Sequence, residues 1–180
     1  MRWINFILYQ ALWFALVIGA AHGSTGLALV PAAAFVVWQA ATANDPRQDL
    51  RRVALAVLAG LVVDGVPALL DWWSYASPAP ALPPHGAPLW ILALWACFAT
   101  TIDRSLSFLQ GRLWLAAALG AIGGPLAYLG AARGWQAVHL PPSTLLFVGW
   151  LAVGWGLAMP LLASRVTASR TAPSPRSMPK

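Results

Sequence analysis

The sequence predicts an all-α polytopic membrane protein, a bundle of six transmembrane helices, and three observations carry that prediction. Of 180 residues, 59% are hydrophobic and only 9% are charged, against roughly 25% charged in a soluble domain. The apolar residues fall in runs long enough to cross a bilayer, separated by Gly, Pro and polar breakers. The basic residues crowd onto alternate connectors, as they do in cytoplasmic loops. So few charges would not cover a soluble fold of this size. A mean hydropathy of +0.68 also excludes disorder, despite 15 Gly and 15 Pro.

A helix needs about 20 apolar residues to cross a hydrocarbon core of ~30 Å. The first such segment is 3–21, closed by His22-Gly23. Ala20-Ala21-His22 faintly resembles a cleavage site, but the run outlasts the ~7–15-residue core of a signal peptide and contains Asn5, Gln10 and Trp13. It is therefore taken as a retained span. The second span, 24–43, ends at Asn44-Asp45-Pro46-Arg47, and the third, 53–73, ends before a Pro-rich stretch from Ser77 to Pro88. The fourth, 88–106, is followed by Gln110-Gly111-Arg112. The fifth, 113–132, and the sixth, 144–163, are separated by Pro141-Pro142. Residues 1–164 form one membrane domain on this reading, and 165–180, rich in Ser, Pro and Arg, form a disordered basic cytoplasmic tail.

Orientation follows from the 11 Lys and Arg residues. With the N-terminus inside, Arg2, Arg47, Arg51, Arg52, Arg104, Arg112, Arg165, Arg170, Arg176 and Lys180 share the cytoplasmic side, and only Arg133 lies opposite. Both termini are thus expected in the cytoplasm. The tryptophans agree: Trp3, Trp38 and Trp114 fall near one set of span ends and Trp72, Trp73, Trp90 and Trp135 near the other, as interfacial belts. Trp13, Trp95, Trp150 and Trp155 lie deeper, where bundle packing accounts for them. The net charge of +6 and pI near 10.8 reflect this loop bias, and no nucleic-acid partner is expected.

Carboxylates inside a membrane are expensive, ~2.5–3.5 kcal/mol at a helix centre, so each needs a partner or a purpose. Asp64, near the middle of span three, is the foremost functional candidate; the plainer reading is a carboxyl hydrogen-bonded to another helix. Asp64, Ala68 and Asp71 at i, i+4 and i+7 would place both carboxyls on one helical face, ~10 Å apart along the axis. Gly60, Gly65 and Pro67 around Asp64 point to an irregular backbone. Gln10 with Trp13, the row Asn5, Tyr9 and Trp13, and Tyr128 reach similar depth and are candidates to line a pocket around Asp64. In span five Gly120 and Gly124 form a small-xxx-small pair for a close crossing, and Pro125 frees the Ala121 carbonyl.

Thr100, Arg104 and Ser107 align at the cytoplasmic end of span four. Arg104 either snorkels and pairs locally or holds a lipid phosphate. His22, His85 and His139 all fall in opposite-side connectors, but none are at ligand spacing, so neither a metal site nor another cofactor is expected. Cys97 is a lone cysteine in an apolar run, a small packing residue. Hydrolase elbow, zinc-protease and Walker sequences are absent.

Several of these residues together resemble a known pattern: Asn5 with Gln10 and Trp13, Asp64, Pro88-Leu89-Trp90 through Trp95, Phe98 and Thr100, Gly123-Gly124-Pro125-Leu126-Ala127-Tyr128-Leu129-Gly130, and Trp155. The chain is similar to a bacterial family of small inner-membrane proteins catalogued as domain of unknown function 2878. The likeness covers nearly everything but the tail, with Gly123 to Tyr128 its most specific part. At the end of span four the family pattern suggests an Asn-His-Ser-Leu-like sequence, where this chain has Asp103-Arg104-Ser105-Leu106. The resemblance implies a bacterial inner-membrane location and no established activity. It also implies a lipid setting, because members tend to be encoded beside enzymes that modify acyl chains.

Three functional classes follow: an accessory protein that binds membrane lipid or a lipid-modifying enzyme partner; a small intramembrane lipid-modifying enzyme using Asp64, with Gln10 and Tyr128; and a proton-coupled transporter with Asp64 and Asp71 as relay. Trp95 and Gly124 join Gln10, Trp13, Asp64 and Tyr128 as candidate cavity residues. The sequence fixes no oligomeric state.

Overall fold

The computed structural model describes residues 2–164; the expected tail at 165–180 lies outside the described residues. The elements in chain order are α1 (Arg2–Ala21), α2 (Thr25–Ala41), α3 (Pro46–Val63), α4 (Gly65–Leu69), β1 (Ser74–Tyr75), β2 (Ala81–Leu82), β3 (Ala87–Pro88), α5 (Leu89–Ala99), α6 (Leu113–Trp135), β4 (Val138–His139) and α7 (Thr144–Ala163). The fold is all-α, with two two-residue antiparallel ladders, β1 with β4 and β2 with β3, trimming one end.

Four segments are long and apolar enough to cross a membrane: Trp3–Ala21, Pro46–Leu69, Leu113–Trp135 and Thr144–Ala163. Thr25–Ala41 and Leu89–Ala99 are apolar but shorter. The outer surface is apolar around the bundle, with Leu27, Leu145 and Trp114 all largely exposed. A surface of that kind suits hydrocarbon rather than water. The short α5 sits inside, packed against α1, α2 and α3, while α3 also meets α7 and α7 packs along α6. Between α6 and α1 contact is sparse. One end of that seam is clasped by Trp135, edge-on to Trp13 and Phe14 at centroid distances of 5.8 and 5.4 Å.

Local chemistry explains the boundaries. The Asp45 side chain caps α3 by accepting from the Gln48 N–H (3.1 Å), with Pro46 in the first turn where its missing N–H costs nothing. Gly23 takes a left-handed φ of 71° to turn α1 into α2. Pro67 cannot donate to Val63, and the freed Val63 carbonyl instead accepts the Trp150 indole N–H at 2.8 Å. The third expected span, 53–73, is therefore two helices: it starts earlier, at Pro46, breaks at Asp64, and ends at Leu69. Pro125, by contrast, is carried within an unbroken α6.

Two further expectations are corrected. The fourth span, 88–106, is helical only over Leu89–Ala99 and then continues as turns, buried at Thr100 to Ile102 and partly exposed from Asp103, to Ser107–Leu109. The Thr100 and Thr101 hydroxyls donate back to the Cys97 and Phe98 carbonyls, both at 2.7 Å, competing with the helical ladder. Irregular backbone at Thr100 to Ile102 is tolerable because those residues are buried in protein. Of the tryptophans assigned to an interfacial belt, Trp73 and Trp90 are core residues: Trp90 is 2% exposed and donates to the Ser77 carbonyl at 3.0 Å, and Trp73 donates to the Tyr75 hydroxyl at 3.0 Å.

A charged network secures these turns. Arg52 bonds Asp103 and lies 3.8 Å from Asp49; Arg104 bonds Asp49 (3.2 Å) and the Gln39 and Thr100 carbonyls (2.7 and 3.1 Å). Gln110 also donates to Asp103, and Ser105 to Asn5. Two carboxylates thus balance two guanidinium groups where α2, α3 and the turns after α5 meet. Removing one partner of a buried pair costs about 3–5 kcal/mol. Asp49→Leu is therefore expected to lower the melting temperature of the detergent-solubilised protein sharply. The buried Cys97 gives the assay, since a thiol-reactive dye reaches it only on unfolding. An unchanged melting curve would show that the network contributes nothing.

Candidate functional site

Asp64 occupies the break between α3 and α4 and is wholly buried. Three donors from three other parts of the chain converge on it. The Tyr128 hydroxyl of α6 (2.5 Å) and the Tyr75 hydroxyl of β1 (2.8 Å) donate to Oδ1, and the Trp95 indole N–H of α5 (2.7 Å) donates to Oδ2. Trp73 donates to Tyr75 in turn, so the donors form a chain leading to the carboxylate. Burial raises the Tyr75 phenol well above its ordinary pKa, and the adjacent Asp64 raises it further, so Tyr75 remains a proton donor.

Trp95 stacks on Trp155 of α7, with centroids 3.9 Å apart and planes inclined by 14°. Glycines make that stack possible. A Cβ at Gly60 would strike the Trp95 indole, one at Gly124 the Trp155 indole, and one at Gly120 the Trp155 backbone. The small-xxx-small pair of α6 thus serves both a close helix crossing and the seating of an aromatic ring.

In front of this wall lies a cavity of about 370 Å³, within the usual size of a small-molecule site. Gln10, Trp13, Trp95, Gly124 and Tyr128, all expected as cavity residues, line it together with Tyr9, Phe98, Gly123 and Trp155. Its α1 side runs from Phe6 to Val17 and its α6 side from Leu119 to Ala131, so it extends ~16–18 Å along the helices. Phe6 and Leu119, at its edge, are 43% and 42% exposed. The cavity therefore lies along the sparsely packed seam of α1 and α6, with exposed apolar residues at its edge.

Asp64 is not among the lining residues; Trp95 and Tyr128 form the wall and hold Asp64 behind it. Gln10 shares the cavity without bonding Asp64. The expected face shared by Asp64 and Asp71 does not exist: the helix breaks at Asp64, and Asp71 sits exposed in the following turn with φ 53°. Arg104 has its donors engaged by Asp49, Gln39 and Thr100, local pairing of the kind set against the lipid-phosphate reading. His139 meets Ser74 (3.2 Å) and His22 the Ile18 carbonyl (2.9 Å), and among the described residues no cluster suited to a metal occurs. Sequence reasoning missed Tyr75, which reaches Asp64 from a connector. It also missed the pairing of Asp49 and Arg52 with Asp103 and Arg104, whose only signal is an i, i+3 spacing in α3.

Residues 2–161 match the model of a family described as protein of unknown function (DUF2878). The chain belongs to this family. The segment from Gly123 to Tyr128, the most specific part of the DUF2878 resemblance, is here one wall of the cavity and a donor to Asp64. No curated protein and no solved structure matches the chain.

Asp64→Leu would strand two hydroxyls and an indole N–H, each at about 1–3 kcal/mol. The variant should melt well below wild type, with Asp64→Asn, which keeps one acceptor oxygen, in between. Equal melting of all three proteins would refute the role of Asp64 as common acceptor.

Proposed function

We propose that this DUF2878 protein is a six-span integral protein of the bacterial inner membrane that holds a membrane lipid chain in its lateral cavity, as an accessory or binding component of lipid metabolism. The observation that carries the reading is the cavity itself: elongated, aromatic-walled, and edged by exposed residues of the surface that hydrocarbon would cover. Residues 2–164 make one bundle, in which α2, at 17 residues, spans ~25 Å, and α5 reaches further through the turns that follow it. The loop charges support a cytoplasmic N-terminus, a cytoplasmic tail and six crossings.

Both oxygens of Asp64 already accept protein donors, and a general base must reach its proton at ~2.6–3.2 Å. A binding role thus fits the geometry better than an enzyme built on Asp64. A proton relay through Asp71 fits less well still, because the helix that would align the two carboxyls is broken.

Native mass spectrometry of the purified protein should show a retained lipid that Gly123→Leu removes. Gly123 lines the cavity, and a Cβ there meets nothing within 4 Å, so the larger side chain fills the space without a clash. If wild type and Gly123→Leu carry the same lipids, the cavity is not the binding site. For topology, an impermeant maleimide applied to intact cells should label Pro84→Cys but not Asn44→Cys in a Cys97→Ala background. The reverse pattern would invert the orientation.

A further inference from the structure

We propose that the guest of the cavity is a single-chain amphipath held in one direction, its chain end at the closed end beside β4 and its polar head at the other end, beside Gln10 and Ser105. This rests on the chain-binding reading and names the class and orientation of its ligand.

The two ends of the cavity differ. At one end Val17, Trp90, Ile91, Ala131 and Val138 are each at most 4% exposed. Hydrogen bonds close that end. Ser77 donates to the Ala20 carbonyl at 2.8 Å and Trp90 to the Ser77 carbonyl at 3.0 Å, which ties the connector after β1 to the end of α1. Trp135, edge-on to Trp13 and Phe14, clasps the seam alongside. The polar groups there are taken, because the Tyr128 hydroxyl donates to Asp64 and the Trp90 indole to Ser77. What this end offers a guest is apolar surface in a dead end.

Exposed residues gather at the opposite end. Of the residues lining the cavity, Phe6 and Leu119 are the exposed ones, and Gln10, Ser105 and Leu106 are half-buried. Ser105 is fixed there by its bond to Asn5 of α1, and it follows Asp103 and Arg104 directly, so this end lies level with the charged network. Gln10 stands on the same half of the α1 wall, one turn from Phe6, and its amide bonds no described residue. An amide can both donate and accept, so it suits a polar head and gains nothing from hydrocarbon.

The dimensions point the same way. The ~16–18 Å from end to end is about half the thickness of a ~30 Å hydrocarbon core, and about 370 Å³ spread over that length is narrow. A narrow dead end of one-leaflet depth takes one acyl chain and leaves the head where the polar side chains are. A lipid of the leaflet on that side already points its chain in this direction, so it enters without turning over.

The test uses the full-length protein in lipid nanodiscs and two photoreactive fatty acids of equal length, with a diazirine beside the carboxyl in one and at the methyl end in the other. Peptide mass spectrometry locates the cross-links. The methyl-end probe should label Ile91, Ala131 or Val138, and the carboxyl-side probe Phe6, Gln10 or Leu119. Gln10→Leu should weaken retention of the fatty acid about fivefold, the worth of one neutral hydrogen bond, and leave the alkane of equal length unchanged. The reversed pattern, or the same labels from both probes, overturns the inference although chain binding stands. So does a diacyl phospholipid with the same methyl-end group that labels Val138 as strongly as the fatty acid. If neither probe labels a cavity residue, or Gly123→Leu is labelled as strongly as wild type, the chain-binding reading fails as well. Should Gln10→Leu not fold by the Cys97 melt, the positions labelled in wild type decide alone.

Discussion

Three hydrogen bonds to one buried carboxylate organise this bundle. Asp64 ties the broken third helix to α5 through Trp95, to α6 through Tyr128 and to the end loops through Tyr75. Trp95 and Tyr128 lie 31 and 64 residues from Asp64 in sequence, so these bonds tie distant segments together. In a low-dielectric setting such bonds are strong when made and costly when lost. The same carboxylate that would be a liability in an isolated helix thus becomes the element that sets how four parts of the chain meet. Pro67 contributes by breaking the helix there, and Trp150 takes up the carbonyl that the break releases.

The other end of α5 is secured by different chemistry. Asp49, Arg52, Asp103 and Arg104 balance one another where the helix unwinds. These two independent polar clusters fix α5 on the side facing α3, and its opposite side, toward α1 and α6, borders open space. That is where the cavity lies, with the Trp95 and Trp155 stack as its wall and Gly120, Gly123 and Gly124 making room on the α6 side beside Leu119 and Tyr128.

Much of this was legible in the sequence. Hydropathy and breakers locate every major helix, and the cost of an intramembrane carboxylate singles out Asp64. Tyr128, Trp95, Gly124, Gln10 and Trp13 do gather around one cavity. What hydropathy does not register is where an apolar run stops being helical. Thr100 and Thr101 are too weakly polar to interrupt the run, yet their hydroxyls turn the backbone. Helical periodicity also assumes continuity, which would place Asp71 on the face of Asp64, whereas α4 ends at Leu69 and Asp71 turns away with φ 53°. Tyr75 escaped because a connector folds back into the core, a long-range event with no periodic signature. The same holds for Trp73 and Trp90: a tryptophan at a span end reads as interfacial, and only the fold shows that Tyr75 and the Ser77 carbonyl receive them.

The position of Asp64 behind its wall bears on what kind of protein this is. A carboxylate meant to exchange protons with a substrate or a solvent path has to present an oxygen to it, and here the oxygens face Tyr75, Tyr128 and Trp95. Those bonds instead fix the orientation of the two aromatic side chains that face the cavity. Trp95, so fixed, sets the plane on which Trp155 stacks, and the pair walls the cavity. The order of dependence runs from the buried carboxyl group, through an oriented ring, to the aromatic stack that shapes the cavity. A wall whose rings are fixed by hydrogen bonds and stacking keeps the shape of its cavity without relying on tight packing from the opposite side.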